Sequence, residues 1–277
     1  MIDVSNPSNP VIVGFADTPY LAYDVAISRS TAYLAISRST YVAQEEGSLQ
    51  VIDISNPSNP IIVGSVDTPG FARGVAVSGN TAYVANYTKG LQVIDVSNPS
   101  NPVIVGFVDT PWYARDVAVS GDIAYVADWG GGLQVIDVGN PTNPTIIGSV
   151  DMRYLAASIV LSGNNAYVGT VYAGLQVIDI SDPYNPTTVG SVDRRDEVYG
   201  VAISGDIAYI ADSGSGLLIT PVPVEIVPVE IVPVMFNTEK GISLTLPGPD
   251  WPGHYKLRIF RGDESDELID AVTFTED

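Results

Sequence analysis

Apolar residues along this chain fall in short runs rich in Val, Ile, Ala and Tyr, separated by Gly, Asn, Asp, Ser and Pro. One stretch shows the pattern fully: DVAVS (Asp116–Ser120), IAYVA (Ile123–Ala127), LQVIDV (Leu133–Val138) and TIIGSV (Thr145–Val150). Branched and aromatic residues bounded by turn formers predict β-strands, here labelled words A, B, C and D. The i, i+3, i+4 apolar spacing of an amphipathic helix is not found. Word A carries small or branched residues, as an innermost strand beside a narrow axis would. The glycines between A and B, at Gly121, Gly163 and Gly205, suit tight hairpin turns.

The words recur in fixed order. GLQVIDVSNPSNPVIVG at Gly90–Gly106 returns as GLQVIDVGNPTNPTIIG at Gly132–Gly148, as GLQVIDISDPYNPTTVG at Gly174–Gly190, and again at Leu49–Gly64. The aspartates closing word C are Asp3, Asp53, Asp95, Asp137 and Asp179, spaced by 50 and then three times by 42. The longer spacing holds a local duplication, ISRSTAYLA (Ile27–Ala35) followed by ISRSTYVA (Ile36–Ala43). A period near 42 with four strands per unit predicts propeller blades.

Word A starts five times, at Asp24, Gly74, Asp116, Ser158 and Gly200. The first word D, Val11–Asp17, lacks its own A and B, and the last repeat ends at word C (GLLIT, Gly216–Thr220) without a D. The fold expected is therefore all-β: a five-bladed propeller over 1–220, with Val11–Asp17 as the outer strand of the last four-stranded blade. Closing the ring removes exposed edges. MIDV (Met1–Val4) and GLLIT both claim the C position of that blade. GLLIT, which has lost its Asp and runs into Pro221, is read as the true end of the array, and MIDV as a cut beginning.

After the array, VPVEI occurs twice, and proline every five residues bars a central strand, so 221–234 reads as an extended linker. Residues 235–277 hold three alternating words, ISLTL, HYKLRIFR and ELIDAVTFT, expected to form a small β module. Gly-LQVID followed by SNPxNP, with AYVA and DVAVSGD between, resembles the LVIVD-repeat family of prokaryotic β-propellers. That resemblance implies an exported or cell-surface protein engaged in interaction rather than catalysis. The tail resembles the Ig-like modules appended to bacterial surface proteins.

Composition narrows the functions. Formal charge is −20 with only 12 Lys+Arg, which excludes a basic face for nucleic-acid phosphates and disfavours anionic lipid. No apolar run reaches the length of a membrane span. Protein or polysaccharide partners remain open, and nothing bears on oligomeric state. There is no Cys, so disulfides and thiolate chemistry are excluded. No basic and apolar leader precedes the first repeat, but a chain opening inside a repeat reads as truncated. The expected location is extracellular or at the cell surface.

Catalysis finds little support. His254 is the sole histidine and lies in the tail, so neither a Ser–His–Asp nor a Cys–His arrangement can form in the propeller. A carboxylate pair acting on a glycan, as hydrolase or lyase, is the alternative, with Asp116 and Asp128 or Asp196 and Glu197 as candidates. No catalytic residue and no cofactor is assigned. The recurrent Asp53, Asp95, Asp137 and Asp179 are explained by Asx turns. Calcium could use such oxygens, but the dense D-x-D-x-D-G spacing is absent and no metal site is assigned.

Internal repeats separate scaffold from specificity. The C–D and A–B connectors scarcely change between copies, whereas the D–A and B–C connectors, on the other face of a propeller, diversify. The D–A segments include DTPGFAR (Asp67–Arg73), DTPWYAR (Asp109–Arg115), DMRYLAA (Asp151–Ala157) and DRRDEVY (Asp193–Tyr199). Aromatic residues and arginine on an otherwise acidic surface have the composition of binding hot spots. The expected ligand-binding set is Phe71, Arg73, Trp112, Tyr113, Arg115, Trp129, Arg153, Tyr154, Arg194 and Arg195. The competing explanation is structural: such aromatics could fill the gaps between blades, and each Arg could pair with the Asp opening its loop.

Overall fold

The computed structural model describes residues 1–38, 46–152, 154–193, 197–214 and 216–222, and the backbone of 254–261 and 264–273. Among these, the regular structure is all β. The chain divides into two compact units, Met1–Val227 and Pro228–Asp277.

The first unit is a five-bladed β-propeller. It opens with two short strands, β1 (Ile2–Asp3) and β2 (Val11–Ile12). Blade 1 is β3 (Leu21–Ser28), β4 (Thr31–Ser37), β5 (Gly47–Asp53) and β6 (Ile61–Thr68). Blade 2 is β7 (Gly74–Ser78), β8 (Thr81–Ala85), β9 (Leu91–Asp95) and β10 (Val103–Val108). Blade 3 is β11 (Asp116–Ser120), β12 (Ile123–Ala127), β13 (Leu133–Asp137) and β14 (Thr145–Val150). Blade 4 is β15 (Leu155–Ser162), β16 (Asn165–Val171), β17 (Gly174–Asp179) and β18 (Thr187–Val192). Blade 5 is β19 (Val198–Ser204), β20 (Ile207–Asp212) and β21 (Gly216–Pro221). Every blade is an antiparallel meander in chain order.

Blades 2 to 4 are apolar on both faces because each is packed between neighbours. In blade 2, Ile94 and Val96 pack with blade 1, while Leu91 and Val93 pack with blade 3. Word C is thus buried along its length, and its Gln is buried too. Gln92 Nε2 donates to Lys89 O at 2.8 Å and Gln134 Nε2 to Gly131 O at 2.6 Å, tying the strand to the preceding B–C turn.

The recurrent connector has an equally local cause. The carboxylates of Asp53, Asp95, Asp137 and Asp179 accept the backbone N–H two residues on at 2.8–2.9 Å, which are Asx turns. These bonds hold the carboxyls of Asp53 and Asp95 below the usual range. The glycine inside word D answers to the next blade: a Cβ on Gly106 would lie 2.1 Å from Pro141 O. Gly64 meets Pro99 O at 2.2 Å and Gly148 meets Pro183 O at 2.3 Å in the same way. One blade's D strand therefore lies directly on the next blade's Asn-Pro turn. In the A–B turns Gly79, Gly121, Gly163 and Gly205 take φ of +56° to +59°, and Arg29 takes +55° at the equivalent point of blade 1.

The duplicated segment falls between the end of β4 and the start of β5 in blade 1, with 39–45 outside the described residues. β4 runs on to Ser37, and Arg38 N donates to Glu46 O at 3.1 Å where the chain returns. Their side chains also pair, Arg38 Nε to Glu46 Oε2 at 3.1 Å.

The closing blade takes a form different from the expected one. Gly14 meets Pro57 O at 2.2 Å, so the N-terminal segment does sit against blade 1 as a preceding blade's outer strand would. However, β2 pairs with β1, not with β21, and blade 5's sheet has three strands. The physical reason is locality: β1 and β2 are joined by one short Asn-Pro connector, so their pairing closes a far smaller loop than β2 with β21. With β1 in the C position, β21 pairs among the described residues with β20 alone. Leu217 is 64% exposed and Val25 51%, whereas Leu91 and Val75, their counterparts in blade 2, are 0% and 5%.

In the second unit β22 (His254–Arg261) and β23 (Glu264–Thr273) form an antiparallel pair. The third expected strand, ISLTL, and most of the 221–234 linker lie outside the described residues.

Candidate functional site

The D–A and B–C connectors meet on one face. Tyr87, in blade 2's B–C turn, exchanges two backbone hydrogen bonds with Ala114 in the D–A segment entering blade 3, both at 3.0 Å. Trp129 and Ala156 repeat the exchange one blade later at 3.1 and 2.9 Å, and Val171 bridges to Glu197 after that. To present its backbone this way the B–C turn uses a left-handed residue. In blades 2 and 3 the bridging residue is itself left-handed and aromatic, Tyr87 (φ +49°) and Trp129 (+45°), whereas in blade 4 Val171 makes the bridge and the left-handed aromatic is the next residue, Tyr172 (+73°). A bulky residue there is an uncommon and costly choice.

The residue just before each A word then faces the axis. In blade order these are Tyr23, Arg73, Arg115, Ala157 and Tyr199, and with Asp24, Asp116, Ser158, Trp129 and Glu197 they line a cavity of about 380 Å³. All five blades contribute. The two guanidiniums lie over aromatic rings: Arg73 Cζ is 4.0 Å from the Tyr23 centroid and Arg115 Cζ 4.1 Å from that of Trp129. Tyr87 sits between them, 5.5 Å from Arg73 and 5.8 Å from Arg115. It stacks on Tyr113 at 4.4 Å and meets Phe71 edge-on at 5.9 Å. Cation–π contacts at such distances contribute about 0.5–2 kcal/mol each, more when desolvated. Burial, and then the charge of Arg73, hold the Arg115 guanidinium below its ordinary range, where it is still protonated.

The acidic groups at the mouth have structural partners. Asp24 accepts Val25 N at 2.8 Å and, from the next blade, Val75 N at 2.7 Å. Asp116 accepts Val117 N and blade 4's Ile159 N, both at 2.8 Å. Enclosure nevertheless pushes the Asp116 carboxyl up to about 7, its two backbone donors and the charge of Asp24 being smaller effects. Where the next A strand needs room, the Asp gives way to Gly: a Cβ on Gly74 would lie 2.6 Å from Asp116 Cα. Asp128, wholly buried, accepts Thr110 Oγ1 at 2.6 Å and Trp112 N at 2.9 Å, and burial raises it. Glu197 accepts the Tyr199 hydroxyl.

Of the expected ligand-binding set, the structure brings Phe71, Arg73, Tyr113, Arg115 and Trp129 together around Tyr87. Phe71 is only 4% exposed and forms the floor of the cluster. Trp112 is 52% exposed; its ring covers Gly130 and meets Tyr113 edge-on at 6.0 Å. Tyr154 is apart, on the rim of a separate hollow of about 360 Å³ shared with Asp151, Thr170, Gln176 and Asp193. Arg153, Arg194 and Arg195, and the candidate carboxylate Asp196, lie outside the described residues. Asp116 and Asp128 each accept from two structural donors. Among the described residues, Arg73 and Arg115 are not paired with the Asp opening their loops: the ion pair found there is Arg38 with Glu46.

Sequence reasoning missed Tyr23, Tyr87, Ser158 and Tyr199. Aligning the copies on word A would have found all but Tyr87, since they occupy equivalent positions one step apart. Tyr87 was masked because NYTKG carries no charge cluster or motif to single it out.

Tandem antiparallel blades, four of four strands and one of three, that share one axial cavity define a repeat propeller. The LVIVD repeat family model matches residues 1–18, 38–68, 69–110, 112–152, 155–194 and 197–221, and the chain belongs to that family. No curated protein matches it. Among solved structures, the computationally designed Ika8 protein is similar at 10% identity over 73% of this chain and 71% of that one, with a TM-score of 0.55. The designed Ika4 protein is similar at 12% identity over 55% and 91%, with a TM-score of 0.47. The Ika8 likeness concerns the fold alone.

Proposed function

We propose that this propeller is a non-enzymatic, surface-associated interaction scaffold that binds a protein or glycan ligand on its D–A/B–C face. The supporting observation is the axial mouth, where all five blades deliver different residues to one cavity while the opposite connectors repeat. A scaffold role needs identical turns. Binding needs the non-identical ones. The engagement of Asp116 and Asp128 by backbone and Thr110 donors supports binding over hydrolysis. Extracellular or cell-surface placement belongs to the same reading, and fractionation of the native cells tests it.

The test uses Trp112, which is exposed enough to be removed without opening the core. Ligands are first selected for the full chain on glycan and surface-protein arrays, and Trp112→Ala is then compared. A loss of affinity of about tenfold or more is expected, as for an aromatic hot spot. Unchanged affinity of Trp112→Ala and Arg115→Gln for every selected ligand, or turnover of a polysaccharide by the full chain, overturns the proposal.

A further inference from the structure

Three buried polar atoms at the axial mouth have no hydrogen-bond partner: Arg73 Nε, Arg115 Nε and Ser158 Oγ. All three residues line the same cavity. Ser158 is 94% buried by its 6% exposure, and its hydroxyl packs so close to Gly169 that a Cβ there would lie 2.4 Å away. Leaving such groups unmet is costly, more so for a charged group. The cost is compounded by putting two like charges together, since Arg73 is the principal charge acting on Arg115. A chain with 32 acidic residues has no shortage of counterions. Yet among the described residues no carboxylate lies within ion-pair distance of either guanidinium.

Nearby acids do not answer the need. The carboxylates of Asp24 and Asp116 each accept two backbone N–H groups on the blade-to-blade seam. Glu197 is bonded to the Tyr199 hydroxyl and acts on Arg115 only at longer range. Aromatic rings within 4.0–5.8 Å of each guanidinium and the burial of each Nε restrict both forks before any ligand arrives. Preorganised guanidinium forks match a carboxylate in two-point geometry.

Resting on the binding role proposed above, we propose that the axial mouth is a site for a carboxylated sugar, whose carboxylate sits between Arg73 and Arg115. A sugar is favoured over an acidic peptide side chain by what else lines the cavity. Glu197 and Ser158 offer acceptors to hydroxyl donors, which a uronic acid ring carries and an Asp or Glu side chain lacks. The cavity volume of about 380 Å³ admits one such ring with accompanying water.

Titration calorimetry of the full chain against glucuronate, galacturonate and their short oligomers tests this, with glucose and galactose oligomers and an N-acetylated, amidated poly-glutamate peptide as comparisons. Binding of one uronate series is expected, weakening as salt rises, with the neutral series at least about tenfold weaker. Arg73→Gln and Arg115→Gln should each lose about tenfold or more. Arg115→Lys should recover only part of it, because the charge returns without the fork. Each variant's melting curve reports whether it folds, and the wild-type comparison of uronate with neutral sugar stands without any variant. Equal binding of neutral and uronate oligomers, no uronate binding, or binding of the peptide in place of uronate overturns the carboxylated-sugar site. The broader binding role survives those outcomes if a Trp112-dependent ligand of another kind is found, and falls if none is.

Discussion

Adding one methyl group at Gly106 should unlock a blade-to-blade contact. Gly→Ala at an extended position ordinarily stabilises a protein by about 0.4–1 kcal/mol, because the unfolded chain loses freedom. Here the new Cβ would lie 2.1 Å from Pro141 O and 3.1 Å from Thr142 Cα. Ordinary contact begins at 3.4 Å, so the D strand and the facing turn must part by more than an ångström. Neither side yields cheaply. Gly106 lies in β10, paired with Val93 next to a bulge, and the Pro141 turn is held by Asn143 N on Asn140 O at 3.0 Å. Overpacking of this kind costs about 1–3 kcal/mol. After the entropic gain, a net loss of about 2 kcal/mol is expected, a fall in Tm of roughly 4–8 °C for a domain of this size. Urea and thermal unfolding followed by circular dichroism measure it. Gly121→Ala is the control, with φ of +58° and nothing within 4 Å, where only left-handed strain of about 1–2 kcal/mol applies. An unchanged or raised Tm for Gly106→Ala would refute the direct seating of each D strand on the next blade's turn.

Other expectations follow from the same geometry. Arg29→Gly should raise stability by about 1 kcal/mol, since Arg29 holds the left-handed A–B position that glycine holds in the other blades; a lower urea midpoint contradicts it. Phe71→Ala should cost about 3–5 kcal/mol as a core truncation, while Trp112→Ala should cost under about 1 kcal/mol; the two melting curves decide which aromatic is floor and which is surface. The Asp116 carboxyl, raised to about 7, binds its proton more tightly folded than unfolded, so stability should fall as pH rises from about 4 to 7, by at most about 4 kcal/mol. Asp116→Asn should flatten that decline, and a wild-type urea midpoint rising steadily from pH 4.5 to 7.5 would count against it. Asp53 and Asp95 act in the opposite sense: their depressed carboxyls lose stabilisation as pH falls below about 4 through the folded pKa, so maximum stability should lie on the acid side of neutrality.

Most of the scaffold was legible because its causes are local. Word C, the Asx turn and the glycine of the A–B hairpin depend on residues within a few positions of one another, and every copy repeats them. The D-strand glycine was visible as a repeat but not as a contact, since its partner, Pro141, lies 35 positions on, in the next blade. The closing blade was only half legible. The segment Val11–Asp17 packs where closure requires, but two C words competed for its edge, and the nearer one in sequence took it.

By itself the sequence determined the period, the strand order within a blade, the number of A words, and which connectors vary. These follow from side-chain pattern and turn chemistry, which act over a few residues. Only the tertiary structure decided that Tyr23, Arg73, Arg115 and Tyr199 face one cavity, that Tyr87 joins the two arginines, and that Asp24 and Asp116 serve as inter-blade clamps. Those relations cross one or more whole blades, and the pitch of the ring about its axis sets them. No local rule encodes that pitch.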